Sequence, residues 1–313
     1  MLIKILLFKI NYMKKIIICI LAINSIANAF GQTTGSREVL SRNSFWTETI
    51  INGVIKDKWR WQMDYQYRRT SDMSDAVNGS HNMFKNDFQH VYRPWLHYQM
   101  NENVRFSLSP VGFWETYTSA LESGSVRKVQ PEFRICPQFT LSNKIFKNRI
   151  SIDQRYRYEF RYFGNKVASD KNEFLDYSYG MDFPSTGRKQ RARYFIRATI
   201  PLNHPTLEKN TFYITAWNEL FIGLGKNTAN DKIWDQNRSF VMFGYKPKWD
   251  IPMRFELGYS AIYKNTFMSK IDAQGQFIET GHIIEKNNIL QVYIIFENFN
   301  KIFQKKPKAK VSI

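Results

Sequence analysis

Charged residues recur at every second position in several stretches of this chain. Asp153, Arg155, Arg157, Glu159 and Arg161 share one parity, with Ile152, Tyr156, Tyr158, Phe160 and Tyr162 on the other. Arg191, Arg193 and Arg197 alternate with Ala192, Tyr194, Ile196 and Ala198, and Glu132 and Arg134 alternate with Phe133 and Ile135. Side chains of a strand alternate faces, so this spacing gathers guanidinium and carboxylate groups on one face and rings on the other. Two chemistries follow. If Glu132, Asp153, Glu159 and Glu219 leave the arginines unneutralised, the face is a positive lining that favours anions. If they neutralise them, the face is a structural ion-pair network, and the regular interleaving of acids points that way.

Nucleophilic and metal chemistry have thinner support. His81, His90, His97, His204 and His282 show no HxH or HExxH spacing, and His90 and His97 fall on opposite faces of one strand. They do not converge on a metal, and no cofactor is expected. His97 can meet Ser107 or Ser109 across the short Asn101-Glu102 turn, the pairing that an activated hydroxyl requires. No His-x-Ser signature accompanies it, and serine is common on polar faces.

These residues need long strands to place them. Trp59, Trp61, Met63, Tyr65 and Tyr67 alternate with Arg60, Gln62, Asp64, Gln66 and Arg68. The same period predicts eleven strands, near 44–55, 59–69, 87–100, 103–117, 128–142, 147–163, 189–201, 211–223, 236–247, 252–264 and 286–299. Most meet the roughly 9–11 residues needed to cross a bilayer at a tilt. Their connections alternate between short turns and long loops, the longest at Gly164–Arg188 and Asn265–Glu285. Pro94, Pro110, Pro131 and Pro137 fall inside strands and predict bulged or irregular pairing there. Tyr and Trp gather toward strand ends, as in a headgroup-level girdle.

The expected fold is all-β: an antiparallel transmembrane barrel with rings toward lipid and ions toward the lumen. An even strand count is the rule for such barrels, so twelve is expected, with ten as the fallback. The twelfth is sought in Gln32–Arg42. A soluble barrel would point the same rings inward, and strand length, loop sorting and the ionic polar face weigh against it. Aromatics make up 16% of the chain, and the mean hydropathy of −0.45 fits strands that are polar on one side.

Met13-Lys14-Lys15, the apolar Ile16–Ile26 and Ala27-Asn28-Ala29 read as an export leader, with Met13 as the true start. An uncleaved hairpin anchor is the alternative, and Ile16-Ile17-Ile18 before Cys19 do not suit a lipoprotein. The expected plan is a leader at 1–29, a segment at 30–43 that holds one further strand, a barrel at 44–299 and a basic tail at 300–313. The leader carries four lysines and no acid, so its removal lowers the formal net charge from +18 to +14. Cys136 then stands alone, and no internal disulfide is available. The lysine-rich tail reads as a soluble end, or as a contact with anionic headgroups. Export removes nucleic acid as a partner. The expected surroundings are outer-membrane lipid, lipopolysaccharide and the barrel-assembly machinery, with the chain a monomer.

The motifs Ser44-Phe45-Trp46-Thr47-Glu48, Trp61-x-Met63-Asp64-Tyr65-Gln66-Tyr67-Arg68-Arg69, Arg93-Pro94-Trp95-Leu96, Arg155-Tyr156-Arg157-Tyr158-Glu159 and Trp217-Asn218-Glu219 resemble domain-of-unknown-function family 2490. The resemblance spans roughly Ser44 to Phe299 as strand patterns. It implies an exported β-barrel of Gram-negative bacteria and no established activity. The function expected is a structural envelope barrel or a narrow pore. A lipid hydrolase of the outer membrane and a soluble periplasmic barrel for an apolar ligand are the alternatives.

Overall fold

The alternating segments hydrogen-bond edge to edge into a closed cylinder. A computed structural model describes residues 38–74, 79–117, 128–164, 167–168, 187–225, 233–271 and 277–302. Among them the strands are β1 (Val39–Lys56), β2 (Trp59–Thr70), β3 (Asn86–Gln99), β4 (Val104–Tyr117), β5 (Lys128–Ile145), β6 (Ile150–Phe163), β7 (Val167–Ala168), β8 (Arg188–Pro201), β9 (Thr211–Leu224), β10 (Trp234–Lys246), β11 (Met253–Ile271) and β12 (Phe277–Phe296). β7 only caps Lys128 and Val129 of β5. The other eleven form the wall, each antiparallel to its neighbours in the chain.

Neither twelve nor ten wall strands are found. Arg42 and the residues back to Val39 continue β1 without a turn, and positions 32–37 lie outside the described residues. An odd count in up-and-down order leaves the first and last strands running the same way. Closure is therefore a parallel ladder, from Val39↔Ile284 to Ile51↔Phe296. A parallel ladder satisfies the edge N–H and C=O groups as an antiparallel one does, so parity does not prevent closure.

Turns 57–58, 100–103 and 146–149 share one rim with the longer 202–210 and 247–252. The β2–β3 and β9–β10 connections leave from the other. The long loop expected at Asn265–Glu285 is mostly strand. β11 and β12 pair on to Ile271↔Phe277, with a register shift at Met268/Ser269. β10 reaches only Lys264 of β11, so the hairpin continues past its neighbours as two strands. Gly281 falls within that expected loop, but it pairs with Met268 across the ladder.

Pro94, Pro110 and Pro137 interrupt ladders as a missing N–H requires, whereas Pro131 keeps register with Glu115. The β3–β4 ladder breaks between Tyr92/Leu96, around Pro94 and Pro110, and the β4–β5 ladder shifts between Ser109/Gly112. The β5–β6 ladder skips Cys136 and Pro137. Close approach elsewhere requires glycine, most tightly at Gly244. Tyr213 lies across Gly244 on the paired strand, where a Cβ would stand 2.1 Å from the ring's Cζ.

Burial is inverted relative to a water-soluble barrel. Glu159 is 0% and Glu219 2% exposed, whereas Phe243 is 51% and Leu257 53% exposed. Met63, Leu96, Phe106, Val241 and Leu290 also stand on the outer wall. Trp59 and Trp249 are exposed toward the short-turn rim, but Tyr156 and Tyr259 sit in mid-strand, so the rings are not confined to girdles. The interior also holds rings. Trp46, Phe240, Met242, Ile262 and Ile289 form a small buried apolar cluster, with Trp217 and Tyr293 packed against it.

Candidate functional site

Cross-strand register sets the interior chemistry. On β6 and β8, Asp153 faces Arg197, Glu159 faces Arg191 and Arg157 faces Arg193. On β5 and β6, Arg134 faces Arg161 and Gln138 faces Arg157. Directly opposed residues on one face approach closely enough for opposite charges to pair, as at Asp153–Arg197 and Glu159–Arg191.

Three carboxylates each hold two or more arginines. Glu159 accepts from Arg191 (Nη2–Oε2 2.5 Å) and Arg193 (Nη1–Oε1 2.5 Å), with Arg134 3.7 Å away. Glu219 accepts from Arg193 at 2.7 Å and Arg155 at 2.9 Å. Glu132 accepts from Arg134 at 2.5 Å and Arg161 at 2.6 Å. Arg191 also reaches Asp235 at 2.8 Å. Arg197 binds Asp153 at 2.6 Å, and Ser142 donates to the same carboxylate at 2.7 Å. Shared acceptors and forked donors make this a lattice rather than a set of separate pairs.

The lattice surrounds a central cavity of about 560 Å³. Of the residues singled out from the sequence, Glu132, Arg134, Asp153, Arg155, Arg157, Arg161, Arg191, Arg193, Arg197 and Glu219 line it. Glu159 is buried behind Arg191 and Arg193. Further members come from strands whose parity carried the same signal. Asp64 on β2 binds Arg93 at 2.7 Å and accepts from the Trp95 indole at 2.9 Å, and Glu48 lies 3.5 Å from Arg93. Arg42 pairs with Glu285 near the long-loop rim.

Thirteen arginines and Lys264 line the cavity against seven carboxylates. Among the described residues, buried Glu159 and Asp235, bound to lumen arginines, raise the acids to nine, which leaves a net positive interior. Among the described residues, Arg68, Arg105, Arg157 and Arg238 have no carboxylate within ion-pair distance. Arg157 donates to Gln138 Oε1 at 2.6 and 2.8 Å. Arg68 donates to Gln89 at 2.6 Å and to Gln66.

Rings support the cations. Arg68 stacks 3.8 Å from the Trp46 ring centre, Arg134 3.8 Å from Trp114, and Arg155 4.0 Å from Phe195. Arg191, Arg193 and Arg238 surround Phe221 at 4.8, 4.3 and 4.5 Å. A desolvated cation over a ring gains about 2 kcal/mol. Alternation alone does not reveal these inward rings, because they occupy the polar parity.

His97 Nδ1 lies 2.7 Å from Ser107 Oγ, so these two meet across the turn, and Gln62 Oε1 is 3.1 Å from Nε2. Both side chains face the interior and are buried, and Ser109 is fully buried with no partner for its hydroxyl. Among the described residues no group of three His, Cys, Asp or Glu is placed to hold a metal.

Outside the cylinder, one carboxylate ties residues 71–74 to residues 80–86. Asp72 accepts from Lys85 Nζ at 2.6 Å, Ser80 N at 2.8 Å and Asn86 Nδ2 at 3.0 Å. Burial alone raises its pKa, but these hydrogen bonds and the Lys85 charge outweigh it and hold the carboxyl below its usual range.

A family model described as "Protein of unknown function (DUF2490)" matches residues 43–271. No curated protein and no solved structure matches the chain.

Proposed function

We propose a role for this chain, which belongs to the DUF2490 family of proteins of unknown function, from its inverted burial: it is an outer-membrane β-barrel that serves as a passive envelope protein with a narrow, anion-favouring water path. The observation that carries this reading is the pairing of a ring-covered outer wall with an interior where Glu159, Glu219 and Asp64 are almost fully enclosed. Water outside would leave Phe243, Leu257 and Phe106 solvated at a cost that hydrocarbon removes. The leader-like Met13–Ala29 segment fits the same address. Outer-membrane lipid, lipopolysaccharide and the assembly machinery are then its surroundings, and a wall closed by the β1–β12 ladder suits a monomer.

The lumen is narrow. Spread over an apolar band about 25 Å tall, the cavity has a mean cross-section of roughly 20 Å². A solute moving along it touches wall groups throughout, and the net positive lining favours anions. A lipid hydrolase gains nothing from the His97–Ser107 contact, since Ser107 faces inward, away from a surrounding bilayer.

Heat-modifiable gel mobility of the membrane fraction tests the barrel. Recovery of the chain in the soluble fraction refutes the membrane reading. Single-channel recording in planar bilayers tests the path: small anion-preferring conductance is expected, with preference lost in Arg157→Glu. A silent bilayer refutes conduction and leaves a purely structural barrel.

A further inference from the structure

Three buried donors without acceptors meet at one place in the lumen. Arg68 and Arg238 both lie over Trp46, their guanidinium carbons 3.8 and 5.6 Å from its ring centre. Among the described residues neither has a carboxylate partner, whereas their neighbours Arg193 and Arg191 are held by Glu159, Glu219 and Asp235. Arg68 Nε, Arg238 Nε and Trp46 Nε1 are each buried with no hydrogen-bond partner. Arg68 is 7% exposed and Trp46 4%, so bulk solvent does not screen the charge of Arg68. Two cations close to one ring repel each other, and a buried donor left unmade costs about 1–3 kcal/mol. The nearby orphan acceptor, Gln291 Oε1, is one neutral oxygen and cannot offset two charges.

We propose that Arg68, Arg238 and Trp46 form an internal binding site for one free oxyanion of the phosphate class. A tetrahedral oxyanion presents several acceptors at once and matches forked guanidinium donors, which a spherical halide does not. The surrounding amides Gln66, Gln89 and Gln236 carry no charge that would repel it, and Arg68 and Arg238 already donate to them. The cavity has room for such an ion beside ordered water. The wall ladder around the site is continuous, so a headgroup tethered to acyl chains in the outer leaflet has no lateral way in. The inference uses the water-filled lumen of the proposed barrel but not its conductance.

The test is calorimetric titration of the full refolded barrel in detergent with inorganic phosphate, in chloride buffer at fixed ionic strength. One saturable site per chain is expected. Arg68→Gln and Arg238→Gln should each weaken it at least tenfold, while Lys209→Gln, an exposed cation outside the lumen, should leave it unchanged. Line broadening of the phosphorus resonance by wild-type barrel, relieved by excess sulfate, reads the same site should the arginine variants fail to fold. Absence of saturable heat and broadening overturns the proposal. So does equal affinity in all three variants, or binding seen only with phosphatidylglycerol vesicles. A silent planar bilayer together with saturable phosphate binding refutes the path and keeps the site.

Discussion

Glu159→Gln isolates what the lattice contributes to stability. The carboxylate is fully buried and neutralises Arg191 and Arg193 at 2.5 Å each, with Arg134 at 3.7 Å. Breaking a buried pair from one side costs about 3–5 kcal/mol, because the partner charge stays buried. Here each main partner keeps a second carboxylate: Asp235 for Arg191 and Glu219 for Arg193. That moves the expected loss to the lower end, about 3 kcal/mol. With a urea dependence of about 3 kcal/mol per molar for a chain of this size, the midpoint falls by roughly 1 M. The assay is urea unfolding of the barrel in lipid vesicles, followed by tryptophan fluorescence. Lys209→Gln, at an exposed 3.7 Å pair with Asp250, serves as the control and should change stability by less than about 0.5 kcal/mol. A Glu159→Gln loss no larger than this control would show that interior water, not the carboxylate, satisfies these arginines.

Three further outcomes follow from particular contacts. Asp72 has a depressed pKa, so its contribution to loop order is complete above the unfolded value near 3.9 and is lost as pH falls through the lower folded value. The hydrogen-exchange protection factors of residues 71–74 and 79–85, corrected for the intrinsic rate at each pH, should therefore fall on acidification from pH 5 to 3 in wild type and vary little over that range in Asp72→Asn. Leu257→Arg puts a guanidinium on the outer wall, where a bilayer midplane position costs about 2–4 kcal/mol, read as reduced folding yield and a lower urea midpoint in vesicles. Gly244→Ala drives a methyl into Tyr213, whose hydroxyl is tied to Glu256 at 2.8 Å, and should cost about 1–3 kcal/mol by the same unfolding assay.

Much of the wall was legible before any pairing was known. Period-two alternation is local: it needs only each residue's type and its neighbours' types. It therefore located all eleven wall strands and assigned Asp64, Arg157, Arg193 and Glu219 to one face. Turn length made the His97–Ser107 contact visible too, because a short hairpin fixes register within a few residues. Pro94, Pro110 and Pro137 announced broken ladders through a missing donor, again a local property.

What tertiary structure decided is non-local. The parallel β1–β12 closure joins residues more than two hundred positions apart, and no local pattern encodes the direction in which the last strand returns. The even-count expectation failed for that reason. The β11–β12 extension was hidden because its turn-forming residues are overruled by cross-strand hydrogen bonds. Alternation placed Arg68 and Glu159 inside alike, but it did not show that Glu159 would meet Arg191 and Arg193 while Arg68 met only amides and Trp46. A strand's sequence determines which face its charges take. Which charges find partners across the lumen depends on strand tilt and register around the whole cylinder, and these exist only once it has closed.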